Sequence, residues 1–190
     1  MSMKLLKSNI NQFLIISLAV LLGACASKTQ VESDLAIDGA PDWVNKGTQF
    51  INDKDGRLFH GVGEAPAVGS SSLQKSTADN RARTEVARIF SSFMDAVSND
   101  YTAASSSGGS GMSEQALSQQ IKAVTKVNLA GAKIVARWKD KKTNVIYSLA
   151  ELDLENVKST VNTTGNMNAD LKRYISANSA NVFDKMSTGE

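Results

Sequence analysis

The chain has 190 residues and carries 21 basic and 19 acidic side chains, one histidine and one cysteine. A single cysteine excludes an internal disulfide, so packing alone must stabilise the fold. Two basic residues and no acidic residue precede Cys25, which leaves 19 charges of each sign in the rest of the chain. This balance argues against a nucleic-acid partner, which requires Lys and Arg clustered on one face.

The first 24 residues have the pattern of a lipoprotein signal peptide. Two lysines precede the apolar run Phe13–Leu22, which leads into Leu22-Gly23-Ala24-Cys25. A basic start, about ten apolar residues and small residues before a cleavage site are typical of a secretory signal. The last four residues are similar to the bacterial lipobox, whose cysteine receives a diacylglycerol. We therefore predict cleavage between Ala24 and Cys25 and lipidation of Cys25.

Two alternatives to a lipoprotein signal are a transmembrane helix and a plain secretory signal with a chance cysteine. Ten residues that rise about 1.5 Å each span roughly 15 Å, half of the hydrocarbon core of a bilayer, so the apolar run is too short for a stable transmembrane helix.

The predicted lipid anchor would be firm, because three acyl chains on Cys25, palmitate or similar, would hold the protein far more firmly than one chain does. Ala26 stands where inner-membrane lipoproteins of enterobacterial type have aspartate. We therefore expect a location at the outer membrane.

The rest of the chain divides into a tether, a domain and a final helix. Residues 25–39 comprise the lipidated cysteine and a polar stretch typical of a flexible tether. Residues 40–165 contain the patterns of a folded domain, and residues 166–190 contain those of a C-terminal helix. This length is sufficient for one domain with a substantial core.

The segment Leu58–Ala65 has the pattern of a first strand with its closing loop. Its Gly61-x-Gly63 superficially resembles a dinucleotide-binding loop. The third glycine is absent, Pro66 stands in its place, and no strand with an acidic end follows about 20 residues later. We interpret the two glycines as a place where a helix packs closely against the strand.

The longest helix is predicted from Leu73 to about Tyr101. Its apolar residues recur at spacings of three and four, which places them on one helix face. They are Ala78, Ala82, Val86, Ile89, Phe93 and Val97, with Ala87, Phe90 and Met94 widening the stripe. So wide a stripe is typical of a helix that lies across a sheet. Arg81 and Glu85, four residues apart, are placed to form an ion pair.

The second half of the chain predicts a hairpin between helices. A flexible loop at Ser105–Gly111 precedes a helix that Ser113 caps. The strands Gly131–Trp138 and Asn144–Leu152 follow, joined by a polar turn and rich in β-branched and aromatic residues. Asp153 then caps a short helix. The terminal helix carries one stripe, made of Leu171, Ile175, Val182 and Met186, with the polar Asn178 on the same face.

Patterns for catalysis or metal binding are scarce in this sequence. His60 is the only histidine, and it has neither a second histidine nor a free cysteine with which to form a transition-metal site. A catalytic serine needs an adjacent base, and His60 has no triad-like companions. The acidic turn Asn52–Gly56 lacks the glutamate of a calcium loop. We predict no enzyme activity, no metal and no cofactor.

Three aromatic side chains are candidates for a ligand or partner surface: Trp43, Trp138 and Tyr147. Together they could line a groove for a small ligand or for peptidoglycan. Aromatic residues that flank strands are more often part of the core, and the burial of the rings distinguishes the two interpretations.

Several segments in a fixed order resemble the Lpp20-like outer-membrane lipoproteins. The segments are Pro41–Val44, Gly61–Ala65, Ala78–Arg88, Trp138–Asp140, Tyr147–Ala150 and Ala177–Asp184. The resemblance spans roughly residues 41–186 and implies an α+β fold, with a long amphipathic helix packed on a small antiparallel sheet and additional C-terminal helices. Some relatives are surface antigens and others assemble around the flagellar motor. The family has no established catalytic motif, and the serine-glycine loop departs from its pattern.

The sequence therefore predicts a non-enzymatic lipoprotein anchored by Cys25 to the outer membrane, with its domain facing the periplasm. We expect it to act as a structural or protein-interaction module of the cell envelope. The more specific form of this prediction is an accessory of the flagellar motor. The alternative is a lipoprotein that binds a small ligand or peptidoglycan. Self-assembly into a homo-oligomer, by pairing of a strand edge near the glycines, is a further hypothesis.

Overall fold

The computed structural model describes residues 36–48, 56–106 and 112–188. The predicted signal peptide, Cys25, the tether up to residue 35, most of the acidic turn and residues 107–111 of the serine-rich loop lie outside these ranges. The helices are α1 (Asp42–Asn45), α2 (Ser71–Ser106), α3 (Glu114–Leu129), α4 (Leu154–Thr163) and α5 (Ala169–Thr188). The strands are β1 (Leu58–Ala65), β2 (Lys133–Lys139) and β3 (Ile146–Asp153). The implied α+β fold is confirmed.

The sheet has the strand order β1-β3-β2, and both neighbouring pairs are antiparallel. β1 pairs with β3 along its whole length, whereas β2 has a β-bulge between Ile134 and Ala136. β2 and β3 form the predicted hairpin. The carboxylate of Asp140 closes its turn by accepting hydrogen bonds from the backbone N–H groups of Lys142 and Thr143, at 2.8 and 3.3 Å.

The glycines of β1 allow α2 to lie very close to the sheet. A Cβ atom on Gly61 would lie 2.5 Å from the carbonyl oxygen of Ala82, and one on Gly63 would lie 2.5 Å from that of Ala78. Any larger residue at either position would collide with the helix backbone, which has no room to yield locally. The interpretation of these glycines as a close helix contact is confirmed.

The core lies between the sheet and the helices. The predicted stripe of α2 is buried, except that Ala87 and Ile89 are only partly buried, and α2 runs beyond the predicted ends at both termini. Four phenylalanine rings, with centroids 5.0 to 6.4 Å apart, join β1, α2 and α5: Phe59, Phe90, Phe93 and Phe183. Next to them, the guanidinium of Arg57 donates two hydrogen bonds of 2.6 Å to the carboxylate of Asp184, which fixes α5 to the start of β1.

The predicted caps are present. The hydroxyl of Ser113 accepts a hydrogen bond from the backbone N–H of Ala116, and the carboxylate of Asp153 accepts one from that of Glu155. Because these side chains bond backbone groups that have no partner within the helix, they fix where α3 and α4 begin.

Two predictions about the terminal helix and one about α2 were wrong. Met186 does not belong to the buried stripe, since 42% of its surface is exposed, and the buried polar residue of α5 is Ser179 rather than the half-buried Asn178. A helix turns once in 3.6 residues, so the fourth residue after Ile175 faces the core. Glu85 pairs with Arg88, at 2.6 Å, and not with Arg81. The guanidinium of Arg81 instead donates to the backbone carbonyl of Glu64.

Candidate functional site

The two faces of the sheet have different roles. Alternate residues of β1, including both glycines, face α2, and we call this the inner face. The remaining residues form the outer face. Given the strand register, the outer face carries three cross-strand rows: His60, Glu151 and Lys133; Val62, Leu149 and Ala136; Glu64, Tyr147 and Trp138.

Trp138 and Tyr147 form a cross-strand pair on the outer face. Their ring centroids lie 5.7 Å apart at an interplanar angle of 43°. Both rings are half-buried, and neither belongs to the hydrophobic core. Burial and then the nearby carboxylate of Glu64 raise the pKa of the Tyr147 phenol above its usual value. Two of the three predicted aromatic candidates therefore meet outside the core.

Trp43, the third candidate, lies in the short helix α1 and is half-buried. Among the ring contacts found within the described ranges, one joins Trp138 to Tyr147 and none includes Trp43. A groove lined by all three rings is therefore not part of the site that we describe.

His60 is buried on the outer face, and its Nε2 lies 3.2 Å from the Oε2 atom of Glu151 on the neighbouring strand. The pair bridges β1 and β3. Across the described ranges, we find no group of three or more His, Cys, Asp or Glu side chains that could hold a metal ion. The geometry that the described ranges show around His60 is a cross-strand contact with Glu151.

A polar network between α2 and the sheet was not predicted. The carboxylate of Asp79 accepts two hydrogen bonds from the guanidinium of Arg137, at 2.8 and 2.7 Å, and a third from the fully buried hydroxyl of Ser148, at 2.8 Å. Arg137 and then Ser148 hold the pKa of Asp79 below its usual range, against the opposing effect of burial. With three hydrogen bonds to one carboxylate, the network acts as a structural clasp between α2 and the sheet.

The two edges of the sheet differ in how they resist pairing with another strand. β2 has lysines at both ends and a bulge, features that protect sheet edges. A second β2 paired antiparallel about Ala136 would bring Lys133 opposite Lys139, which is unfavourable. On β1, the hydrogen bond from Arg81 to the carbonyl of Glu64 occupies part of the edge. The self-assembly hypothesis therefore concerns the rest of the β1 edge.

Comparison with known proteins assigns no family to this chain. No protein-family model matches it, and no curated protein matches it significantly. Among the helices of the described ranges, none combines the length and the apolar character that crossing a bilayer requires. The resemblance to Lpp20-like lipoproteins stays a prediction from the sequence.

Proposed function

We propose that this protein is an outer-membrane lipoprotein that is anchored by Cys25 and binds another envelope protein through the outer face of its sheet. The lipobox pattern at Leu22–Cys25 supports the anchor. The α+β domain then serves as a non-enzymatic interaction module that faces the periplasm.

The observation that carries the binding part of the proposal is the position of the Trp138–Tyr147 pair. Large aromatic rings that keep exposed surface outside the core are enriched at the centres of protein interfaces. Here they lie beside a carboxylate, Glu64, which adds a polar group at the margin of the patch. Core packing explains which residues occupy the inner face of the sheet. It does not explain why two aromatic residues, Trp138 and Tyr147, lie side by side on the outer face.

The anchor is tested by labelling cells with a tagged palmitate and fractionating their membranes. The wild-type protein is expected to carry the label and to sediment with the outer membrane. Cys25→Ser removes the thiol and is expected to abolish labelling and to leave an unprocessed precursor. A labelled Cys25→Ser variant, or an unlabelled wild-type protein, would contradict the proposal.

The sharper form of the proposal, an accessory of the flagellar motor, rests only on the resemblance to Lpp20-like lipoproteins. Flagellar genes adjacent to this one and co-isolation with basal bodies would support it. An unrelated gene neighbourhood together with unchanged motility in a deletion strain would leave the general envelope role.

A second candidate is a small-ligand or peptidoglycan-binding lipoprotein, since aromatic rings that keep part of their surface exposed also stack on sugars. The same Trp138–Tyr147 pair favours it. If this candidate holds, the protein will sediment with purified peptidoglycan sacculi, and Trp138→Ala will release it. Sedimentation that is absent, or that is unaffected by this substitution, leaves the protein-partner proposal.

A further inference from the structure

One end of the domain gathers exposed basic and apolar side chains. We call it the hairpin end: the end of β1, residues 66–70, the first turn of α2 and the β2–β3 turn at 140–145. The buried side chain of Gln74 ties these parts together, because its Nε2 donates to the backbone carbonyls of Ala65, at 3.0 Å, and Asn144, at 2.7 Å. The side chains of residues 66–70 and those of the β2–β3 turn therefore lie on one surface of the domain.

The tether meets the domain at this same end. The carboxylate of Asp38 lies 3.7 Å from Nζ of Lys142, in the β2–β3 turn. Only twelve residues separate Cys25 from Asp38. A tether of that length that is flexible, as the sequence predicts, has an r.m.s. reach of about 20 Å. A lipid on Cys25 would therefore keep the hairpin end within about 20 Å of the bilayer.

The hairpin end has the side chains that an anionic membrane surface attracts. Lys139, Lys141 and Lys142 are exposed there, as is Lys75 in the first turns of α2. Two of the large exposed apolar residues are also at this end, Leu73 with 58% and Val68 with 45% of its surface exposed.

The acidic groups of this end offset only part of that charge. Asp140 is buried, and its oxygens accept hydrogen bonds within the turn. Asp38 pairs with Lys142, and Asp42 pairs with Lys46. Glu64, exposed at the end of β1 beside Tyr147, adds one further negative charge. Three of the exposed lysines, at positions 75, 139 and 141, have no ion pair within the described ranges.

We propose that the hairpin end docks on an anionic phospholipid surface, with its lysines at the lipid phosphates and with Leu73 and Val68 at the headgroup level. Both forces involved, apolar burial and attraction to anionic lipid, are those of interfacial membrane binding. The inference rests on the proposed lipid anchor. Docking fixes the orientation of the domain: α2 points away from the membrane, and its distal half faces the periplasm.

The test uses the lipidated full-length protein in vesicles of phosphatidylethanolamine with phosphatidylglycerol. A fluorophore is attached at Ser72→Cys, beside Leu73, or at Ala123→Cys on α3; both positions are exposed and helical. Position 123 is remote from the hairpin end. The chain leaves α3 near Ala132, whose backbone carbonyl accepts a hydrogen bond from Arg83, and the full length of β2 then separates this point from the β2–β3 turn. Headgroup-attached quenchers are expected to quench the probe at position 72 severalfold more than the probe at 123.

Paired charge variants sharpen this test. A lysine near an anionic surface changes the docked-to-undocked ratio about fivefold, so Lys141→Gln with Lys142→Gln should lower it about 25-fold at low salt. The matched control, Lys122→Gln with Lys126→Gln on the exposed side of α3, should leave it unchanged. Equal quenching at both probe positions in the wild-type background overturns the proposal, and this comparison needs no lysine variant.

Vesicle flotation separates this inference from the anchor on which it rests. A protein that floats with vesicles but shows equal quenching at both positions is anchored and undocked, so only the docking inference fails. A protein that does not float is not lipidated, and the proposed function fails with it. Equal effects of the two lysine pairs would also overturn docking at the hairpin end.

Discussion

The inner and the outer face of the sheet are made by the same three strands, yet they obey different constraints. On the inner face, Gly61 and Gly63 are required because the backbone of α2 occupies the space of a side chain. On the outer face, Trp138 and Tyr147 keep exposed surface and contribute nothing to the core. The comparison teaches that packing accounts for the residues of the inner face, whereas the Trp138–Tyr147 pair of the outer face needs another explanation. We propose partner binding.

The most damaging change on the inner face is expected to be Gly63→Ala. Its new Cβ atom would lie 2.5 Å from the carbonyl oxygen of Ala78, so α2 would have to move away from the sheet. We expect the free energy of unfolding, measured in urea, to fall by about 3 kcal/mol or more. Gly69→Ala is the control, because no atom lies within 4 Å of its Cβ position. Equal stability of the two variants would show that α2 is not in close contact with β1.

The clasp between α2 and the sheet is expected to be the next most sensitive element. Asp79→Ala leaves the buried hydroxyl of Ser148 and the guanidinium of Arg137 without their acceptor. We expect a loss of about 2 to 3 kcal/mol. Asp95→Ala, an exposed position on the same helix, is the control and should cost less than about 0.5 kcal/mol.

The same carboxylate predicts a dependence of stability on pH. Because the pKa of Asp79 is lowered in the folded protein, the ionised form stabilises the fold. This contribution is complete above about pH 5, where an unfolded aspartate is almost fully ionised, and is lost as the pH falls through the lower folded pKa. Urea titrations of wild type and Asp79→Ala between pH 5 and pH 2 should therefore converge. A constant difference between them would contradict this assignment.

On the outer face, Trp138→Ala should cost much less stability than removal of a core ring. We expect about 1 to 2 kcal/mol for the half-buried Trp138, against about 3 to 5 kcal/mol for the fully buried Phe93→Ala. Thermal unfolding monitored by circular dichroism measures both. A loss at Trp138 as large as that at Phe93 would mean that the outer face is core and would remove the basis for a partner surface.

The smallest change in stability is expected for Ser179→Ala, and it has the opposite sign to the losses above. Ser148, the other fully buried serine considered, provides the comparison. The hydroxyl of Ser179 makes no hydrogen bond, whereas that of Ser148 donates to Asp79 at 2.8 Å. Ser179→Ala should be neutral or stabilise by up to about 1 kcal/mol, and Ser148→Ala should destabilise by about 1 kcal/mol. The midpoint of urea unfolding measures the change in stability of each variant. Equal shifts of the two midpoints would contradict the difference in hydrogen bonding between the two serines.

Local features of the fold could be predicted from the sequence. The apolar stripe of α2, the hairpin of β2 and β3, the caps at Ser113 and Asp153 and the glycine contact all follow from short-range spacing. The clasp could not be predicted, because Arg137 and Ser148 lie 58 and 69 residues from Asp79. Only the strand register brings the two partners onto the inner face.

The candidate site was predicted in part. Trp138 and Tyr147 meet because the hairpin pairs them directly, which a prediction of both strands makes accessible. Their placement outside the core was not predicted, because it depends on which face of the sheet α2 covers. The glycines hold the signal that was needed: they mark the inner face, and alternation along β1 and β3 then assigns Tyr147 to the outer face.

The central claim, that the outer face binds an envelope partner, is tested most directly by site-specific photo-crosslinking in intact cells. A photoreactive phenylalanine derivative replaces Tyr147 on the outer face or, as the control, Asp95 on the exposed side of α2. We predict one discrete adduct with another protein from position 147, none from position 95, and loss of the adduct in Cys25→Ser. An identical pattern from both positions, or no adduct from position 147, would contradict the account.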